Sequence, residues 1–356
     1  MRSAHYLIII FSISSLSANS DIRKAFIEAN FQSIPNEYSN TQGIERLENW
    51  RNPYKDVQYE AKRDLGQKFF FDPRLSKTRN LSCHSCHQLS LAGTDALTIS
   101  IGFLGIRNPH KFNSPTVLNT ALHKLFFWDG RSEDLENQAM ISLMGLHEMA
   151  FDVPLAVKRF KQLPYYQAEL KRLFGENFPD RLGSQKNIQR AFRSLHNITK
   201  AVAHYQRGLL TRSRFDAFME GEDILTKREI SGAKKFISLN CIKCHSGPAL
   251  GGHKKARFPI YGLYPYANKV MYDNDEKLKI PSLRNVGLTS PYYHNGAVKS
   301  LEEAIALMGR LQLNKKLSNT EVSDIMAFLN SLSAQNLPLD QPKLPAERHR
   351  YDFKNY

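Results

Sequence analysis

The sequence has few cysteines and no spare ones. Among 356 residues there are four, Cys83, Cys86, Cys241 and Cys244, and all sit in two short motifs. None is left for a structural disulfide. Long apolar runs are also lacking. The run Leu7 to Leu16 is too short for a membrane span, which needs about 20 residues. It follows Arg2 and His5 and precedes Ser17-Ala18-Asn19-Ser20. That order is a positive n-region, a short h-region and an Ala-x-Ser cleavage site before Asp21. The expectation is a signal peptide over 1–20, a soluble mature protein and a periplasmic location, with an uncleaved anchor as the alternative. Low-complexity runs, nucleic-acid motifs and clear strand signals are missing too. Acidic residues are in deficit, 34 against 49 basic ones, for a net charge of +15. Loss of Arg2 lowers that by one. A basic surface can steer an acidic electron-transfer partner, although solubility alone accounts for it equally well. The 42% hydrophobic and 23% charged content fits a globular chain long enough for about two domains.

The cysteines lie in "LSCHSCHQLS" (81–90) and "LNCIKCHSGP" (239–248). Cys-x-x-Cys-His is the attachment pattern of a c-type haem. The two thiols form thioethers to the vinyl groups, and the adjacent His87 or His245 reaches the iron from one side. Two redox disulfides or one four-cysteine zinc site would use the same cysteines, but neither explains a histidine after each pair.

A repeat follows the motifs. "SPTVLN" (114–119) resembles "IPSLRN" (280–285), and "FFWDGRSEDLENQA" (126–139) resembles "YYHNGAVKSLEEAI" (292–305). Pro115 and Pro281, Asn119 and Asn285, Gly130 and Gly296, and Leu135 and Leu301 are each 166 apart, while the motif cysteines are 158 apart. Upstream, "LGQKFFFD" loosely matches "ISGAKKFI". The expected fold is mainly α: two tandem cytochrome c-like domains, 21–190 and 191–356, each with one covalently attached c-type haem. Helical spacing is expected over 57–70, 187–210, 300–308 and 318–332. The 187–210 helix either closes the first copy or bridges the two.

The copies differ opposite their histidines. Met308 ends the 300–308 helix, and a thioether there is a good sixth iron ligand that raises the reduction potential. Its counterpart in the 166 register is Ser142, which is no useful ligand. Repeat logic thus predicts a six-coordinate His245/Met308 haem and an open His87 haem. A core methionine on an amphipathic helix is the alternative for Met308. The first copy also carries "GLHEMAF" (145–151). Glu148, a glutamate in an apolar stretch beside an open iron, suits a general acid–base. A solvated loop carboxylate is the plain alternative, and His147 reads as structural.

The motifs "LGQKFFFDPRLS", "LSCHSCH", "NSPTVLN", "FWDGR", "HEM", "SRFDAF", "CIKCHSGPALGG" and "PSLRNVGLTSPYYHNG" together resemble the bacterial di-haem cytochrome c peroxidase and MauG superfamily over residues 57–335. The resemblance implies that His87 serves a low-potential peroxidatic haem, with Glu148 as its catalytic glutamate. It places His245 and Met308 on a high-potential haem that receives electrons, and Trp128 between the two haems. It assigns Asn113, with the carbonyls of Thr289 and Pro291, to a calcium site; such oxygens suit that ion. Members that need reductive activation carry a histidine after "SIG", where this chain has Phe103. Phenylalanine cannot ligate iron. The following loop is about three residues longer than usual and holds His110, a candidate replacement ligand. Met144 stands where these peroxidases often have glutamine. MauG carries a tyrosine where Met308 stands. The expected activity is reduction of hydrogen peroxide with electrons from a small cytochrome c or copper protein. The rivals are oxidation of a partner protein, as in MauG, and a plain di-haem electron carrier. Family members are often homodimers.

Overall fold

The computed structural model describes residues 19–34, 57–266 and 277–347. The expected signal segment lies outside these except for Asn19 and Ser20, which open a helix over 19–28. The described chain is mainly helical. Its strands form one antiparallel ribbon, Lys255–Arg257 against Lys277–Lys279. Among the described residues, no helix is long and apolar enough to cross a membrane.

Two compact units are present. The first comprises the described residues 57–210, 294–296 and 337–347; the second comprises 19–34, 211–266, 277–293 and 297–336. The boundary expected at 190/191 would cut the helix Gln185–Arg207. The units divide after Leu210 instead, because the apolar face of that helix packs in the first unit's core.

In the first unit, Tyr59–Phe71 crosses Gln185–Arg207 at Gly66, where an added Cβ would lie 1.8 Å from the carbonyl oxygen of Ala201. The long helix starts at Ser184, whose hydroxyl accepts from the amide of Asn187, a standard N-cap bond. Ala191, Leu195, Ile198, Ala201, Val202 and Tyr205 are buried along it, the spacing of one helical face. The second unit repeats the arrangement. Lys227–Ser238 crosses Asn319–Ser331 at Gly232, where a Cβ would lie 1.9 Å from the carbonyl oxygen of Asp324. Both helices begin with capping boxes, Thr226 with Glu229 and Ser318 with Glu321. Phe26, Phe215, Phe236 and Phe328 fill the core between them, and Phe26 lies 4.8 Å from Phe215 between ring centroids.

The duplication is visible in the backbone. Asn119 and Asn285 have φ of 60° and 62°, Phe127 and Tyr293 62° and 67°, Gly130 and Gly296 67° and 60°. Isolated bridges join Phe126 to Ser132 and Tyr292 to Val298. Gly66 and Gly232 keep the 166 spacing. A second spacing appears in the closing helices. The amide of Asn119 donates to Leu209 and that of Asn285 to Leu332. Leu209 and Leu332, like Ala201 and Asp324, are 123 apart. Gln185–Arg207 is therefore the first unit's closing helix, the counterpart of Asn319–Ser331. The register slips because the first unit inserts a loop and the helices Val153–Phe160 and Pro164–Phe174 before it.

Candidate functional site

Each Cys-x-x-Cys segment forms one short helical turn, Cys83–Cys86 and Cys241–Cys244, with its histidine at the C-cap. The first is capped by Ser82 and Ser85. All four thiols are free. Burial pushes Cys83 and Cys86 up to about 12 and Cys241 up to about 11. Dithiol redox motifs instead lower a cysteine's pKa. Among the described residues no three His, Cys, Asp or Glu side chains form a cluster that could hold a metal ion.

The histidines are arranged as haem ligands would be. His87 Nδ1 lies 3.2 Å from the carbonyl oxygen of Gly93, and His245 Nδ1 lies 3.3 Å from that of Leu250. The repeat-equivalent carbonyls of Pro115 and Pro281 also bond these rings. An Nδ1–H donated to a backbone carbonyl fixes the tautomer and leaves Nε2 as the ligating nitrogen. Burial lowers both pKa values, that of His245 to about 4, which keeps the imidazoles neutral as ligation demands. The residues present thus fit two covalently attached haems. The repeat marks the two prolines as a pair, but no motif search would have assigned this role to them or to Gly93 and Leu250, since all four act through backbone oxygens.

Glu148 sits on a turn after the helix Leu135–Met144. Its amide donates to the carbonyl of Gly145, and the amides of Met149 and Phe151 return to Ser142 and Leu143. Its carboxylate is half-buried, and its negative charge adds to burial in raising Cys83 and Cys86 and offsets part of the lowering by burial at His87. Phe103 is tied to the same turn, because its amide donates to the carbonyl of Glu148 at 2.8 Å. Gly102 makes the approach possible, since a Cβ there would lie 1.9 Å from the carbonyl oxygen of His147. The ring of Phe103 lies under the ammonium of Lys77 at 5.2 Å. His147 is exposed. His110 is exposed as well and stacks on Phe112 at 5.9 Å. Met144 packs against the first unit's core.

Ser142 accepts from Gln138. In the second unit, Met326 packs on the core, whereas half-buried Met308, on the helix Leu301–Leu313, lies outside that cluster. Trp128 donates from Nε1 to the carbonyl of Asn113 at 2.9 Å, and the amide of Asn113 donates to the carbonyl of His294 at 2.7 Å. The rings of Trp128 and His294 meet edge-on, 6.4 Å apart. These two residues are 166 apart, so the repeat brings equivalent positions together; sequence reading singled out only Trp128. Asn113 Nδ2 donates to the carbonyl of Leu97, which leaves Oδ1 as the pole available to a cation. Thr289 and Pro291 belong to the second unit.

Residues 60–224 match the family model described as di-haem cytochrome c peroxidase. The chain is 38% identical over 292 residues to a cytochrome c551 peroxidase of Nitrosomonas europaea, covering 79% of this chain and 83% of that one. It is 32% identical to a cytochrome c551 peroxidase of Pseudomonas aeruginosa, covering 95% and 94%. Among solved structures it resembles a MauG-like protein associated with microbial copper homeostasis, with a TM-score of 0.67, 26% identity, and coverage of 80% and 92%.

Proposed function

Because this chain belongs to the di-haem cytochrome c peroxidase family, we propose that it is a periplasmic peroxidase, exported by residues 1–20, that reduces hydrogen peroxide to water. Each turnover takes two electrons and two protons. A small cytochrome c or a copper protein is the donor. Bound haems supply the oxidative chemistry and store the electrons.

The chain's own residues place and protect that chemistry. Cys83 and Cys86 would tether one haem and Cys241 and Cys244 the other, and the Nδ1 bonds of His87 and His245 would orient each Nε2 to ligate an iron. Met308 would supply a thioether ligand to the second haem, where electrons would enter. Trp128 carries them toward the first. Glu148 takes a proton from one peroxide oxygen and returns it to the other, which leaves as water. Calcium at Asn113, Thr289 and Pro291, and a homodimeric assembly, complete the proposal.

One observation carries the reading. Glu148 lies beside the His87 motif on a turn that also holds Phe103. The side chain at that position offers no ligand to displace, so the peroxide side stays open without prior reduction. The test is steady-state peroxide reduction by the as-isolated oxidised protein, with reduced cytochrome c as donor. Sustained turnover from the first cycle is expected. Negligible turnover, with peroxide-dependent modification of a co-purified protein, would favour a MauG-like role. The likeness to a MauG-like structure and the missing histidine favour that second reading, while a methionine at 308 counts against it. A plain electron carrier would show no peroxide reaction at all.

A further inference from the structure

The loops after the two histidines carry opposite charge. In the first unit the loop turns back so that Gly93 meets His87, and Gln88 bridges Thr94. Two residues beyond Gly93 is Asp95. It is 7% exposed; its Oδ1 accepts from the amide of Leu97 at 3.0 Å, and its buried Oδ2 has no partner. An unpartnered buried carboxylate oxygen is costly, and turn formation needs only Oδ1. In the second unit the corresponding loop passes Leu250, which meets His245, and continues to His253 and Lys254. The ammonium of Lys254 donates to the carbonyl of Lys243 at 2.6 Å and to Ser246 Oγ at 3.3 Å. A cation is thus bonded to residues on both sides of His245, inside and just after its motif.

We propose that Asp95 and Lys254 are positioning residues that separate the reduction potentials of the two haems, Asp95 lowering the first and Lys254 raising the second. The proposal rests on the reading that both motifs carry haem. Reduction adds an electron. A fixed anion near the iron's histidine disfavours it and a fixed cation favours it, and the burial of Asp95 strengthens the first effect. The separation set by Met308 on one haem alone is thereby reinforced by charges on both.

The test is a spectroelectrochemical titration of the full-length holoprotein, reading each haem separately. Asp95→Asn keeps the acceptor for Leu97 and removes the charge. It is expected to raise the first haem's potential, changing its reduced-to-oxidised ratio at least tenfold, about 59 mV for one electron, and to leave the second unmoved. Lys254→Gln is expected to lower the second haem alone. Asp95→Glu, which restores the charge, should bring the first potential back toward wild type. Unmoved potentials, or equal shifts of both haems in either variant, overturn the inference. Peroxide turnover on the same samples keeps the two readings apart. Active protein with unmoved potentials sinks the inference and leaves the peroxidase; inactive protein with the expected shifts does the reverse.

Discussion

Glu148 and Phe103 share a backbone hydrogen bond, so the proposed proton carrier and the residue standing in place of a ligating histidine belong to one local structure. Glu148→Gln keeps the size and the backbone turn but removes the proton-carrying group. Peroxide reduction should fall by about 10²-fold or more, the usual worth of general acid–base catalysis, with both haem spectra unchanged. A rate within a few-fold of wild type would remove Glu148 from the mechanism. Phe103→His restores a potential ligand at the position where the family's activated members have one. Its as-isolated spectrum should move from high-spin toward low-spin, and turnover should come to depend on prior reduction. If the spectrum does not change, the ring is held in its place against Lys77 and the site is open for a reason other than the missing imidazole. At this scale the sequence was informative about side chains with chemistry, such as His87, His245 and Glu148. It was silent on Gly93 and Leu250 and on the part played by Pro115 and Pro281, which stood out only as a repeat pair, because any residue can supply a carbonyl.

The helix pairs show what the repeat conserves as an element. At Gly66 and Gly232 a methyl group would strike a backbone carbonyl 1.8 or 1.9 Å away, and backbone cannot swing aside as a side chain can. In an exposed helix, glycine to alanine would stabilise by about 1 kcal/mol. Here Gly66→Ala and Gly232→Ala should each destabilise by about 1–3 kcal/mol, measurable as a fall in Tm; a rise would mean the helices can separate freely. A buried ion pair fixes the second unit in another way. Arg284 bonds both oxygens of Asp216 at 2.9 Å and also donates to the carbonyls of Gln32 and Pro248, so it ties three chain segments to the short helix Arg214–Met219. Burial alone would raise the pKa of Asp216, but Arg284, with Ser213 and the amide of Ile34, holds it below the ordinary value. A depressed folded pKa gives stability that is full above the unfolded value, about 3.9, and is lost as pH falls through the folded one. Asp216→Asn should cost about 3–5 kcal/mol at neutral pH and should flatten the acid limb of the stability curve. An unchanged acid limb would assign acid unfolding to other carboxylates. The helix over 57–70 was legible from its apolar spacing, and that over 318–332 from its spacing and its capping box, because both signals are local. The role of the long helix was not, because an insertion over 145–184 shifts its register from 166 to 123.

At the scale of the whole molecule, the duplication turns one question into a comparison. Two copies of one scaffold present the same Cys-x-x-Cys-His turn, the same Nδ1–carbonyl arrangement and the same helix crossing. Whatever differs between them is then where their jobs diverge. The differences gather in three places: Ser142 against Met308, the turn bearing Glu148 with Phe103 beside it, and Asp95 against Lys254. All three fit the proposal of an open iron held low in potential in the first unit and a closed one held high in the second. Sequence alone exposed the first two, since an aligned repeat makes a missing ligand visible. The third needed the fold, because a carboxylate eight residues past a histidine looks like any turn residue until its burial is known. The combined expectation is read on the intact, as-isolated oxidised protein by electron paramagnetic resonance and optical spectra. A high-spin ferric signal from one haem and a low-spin signal from the other should appear together. Met308→Ala should convert the low-spin signal to high-spin and leave the first haem as it was. Two low-spin signals in the wild-type protein would mean that a side chain such as His110 caps the first iron after all. The prediction of turnover without reductive activation would then fail with it.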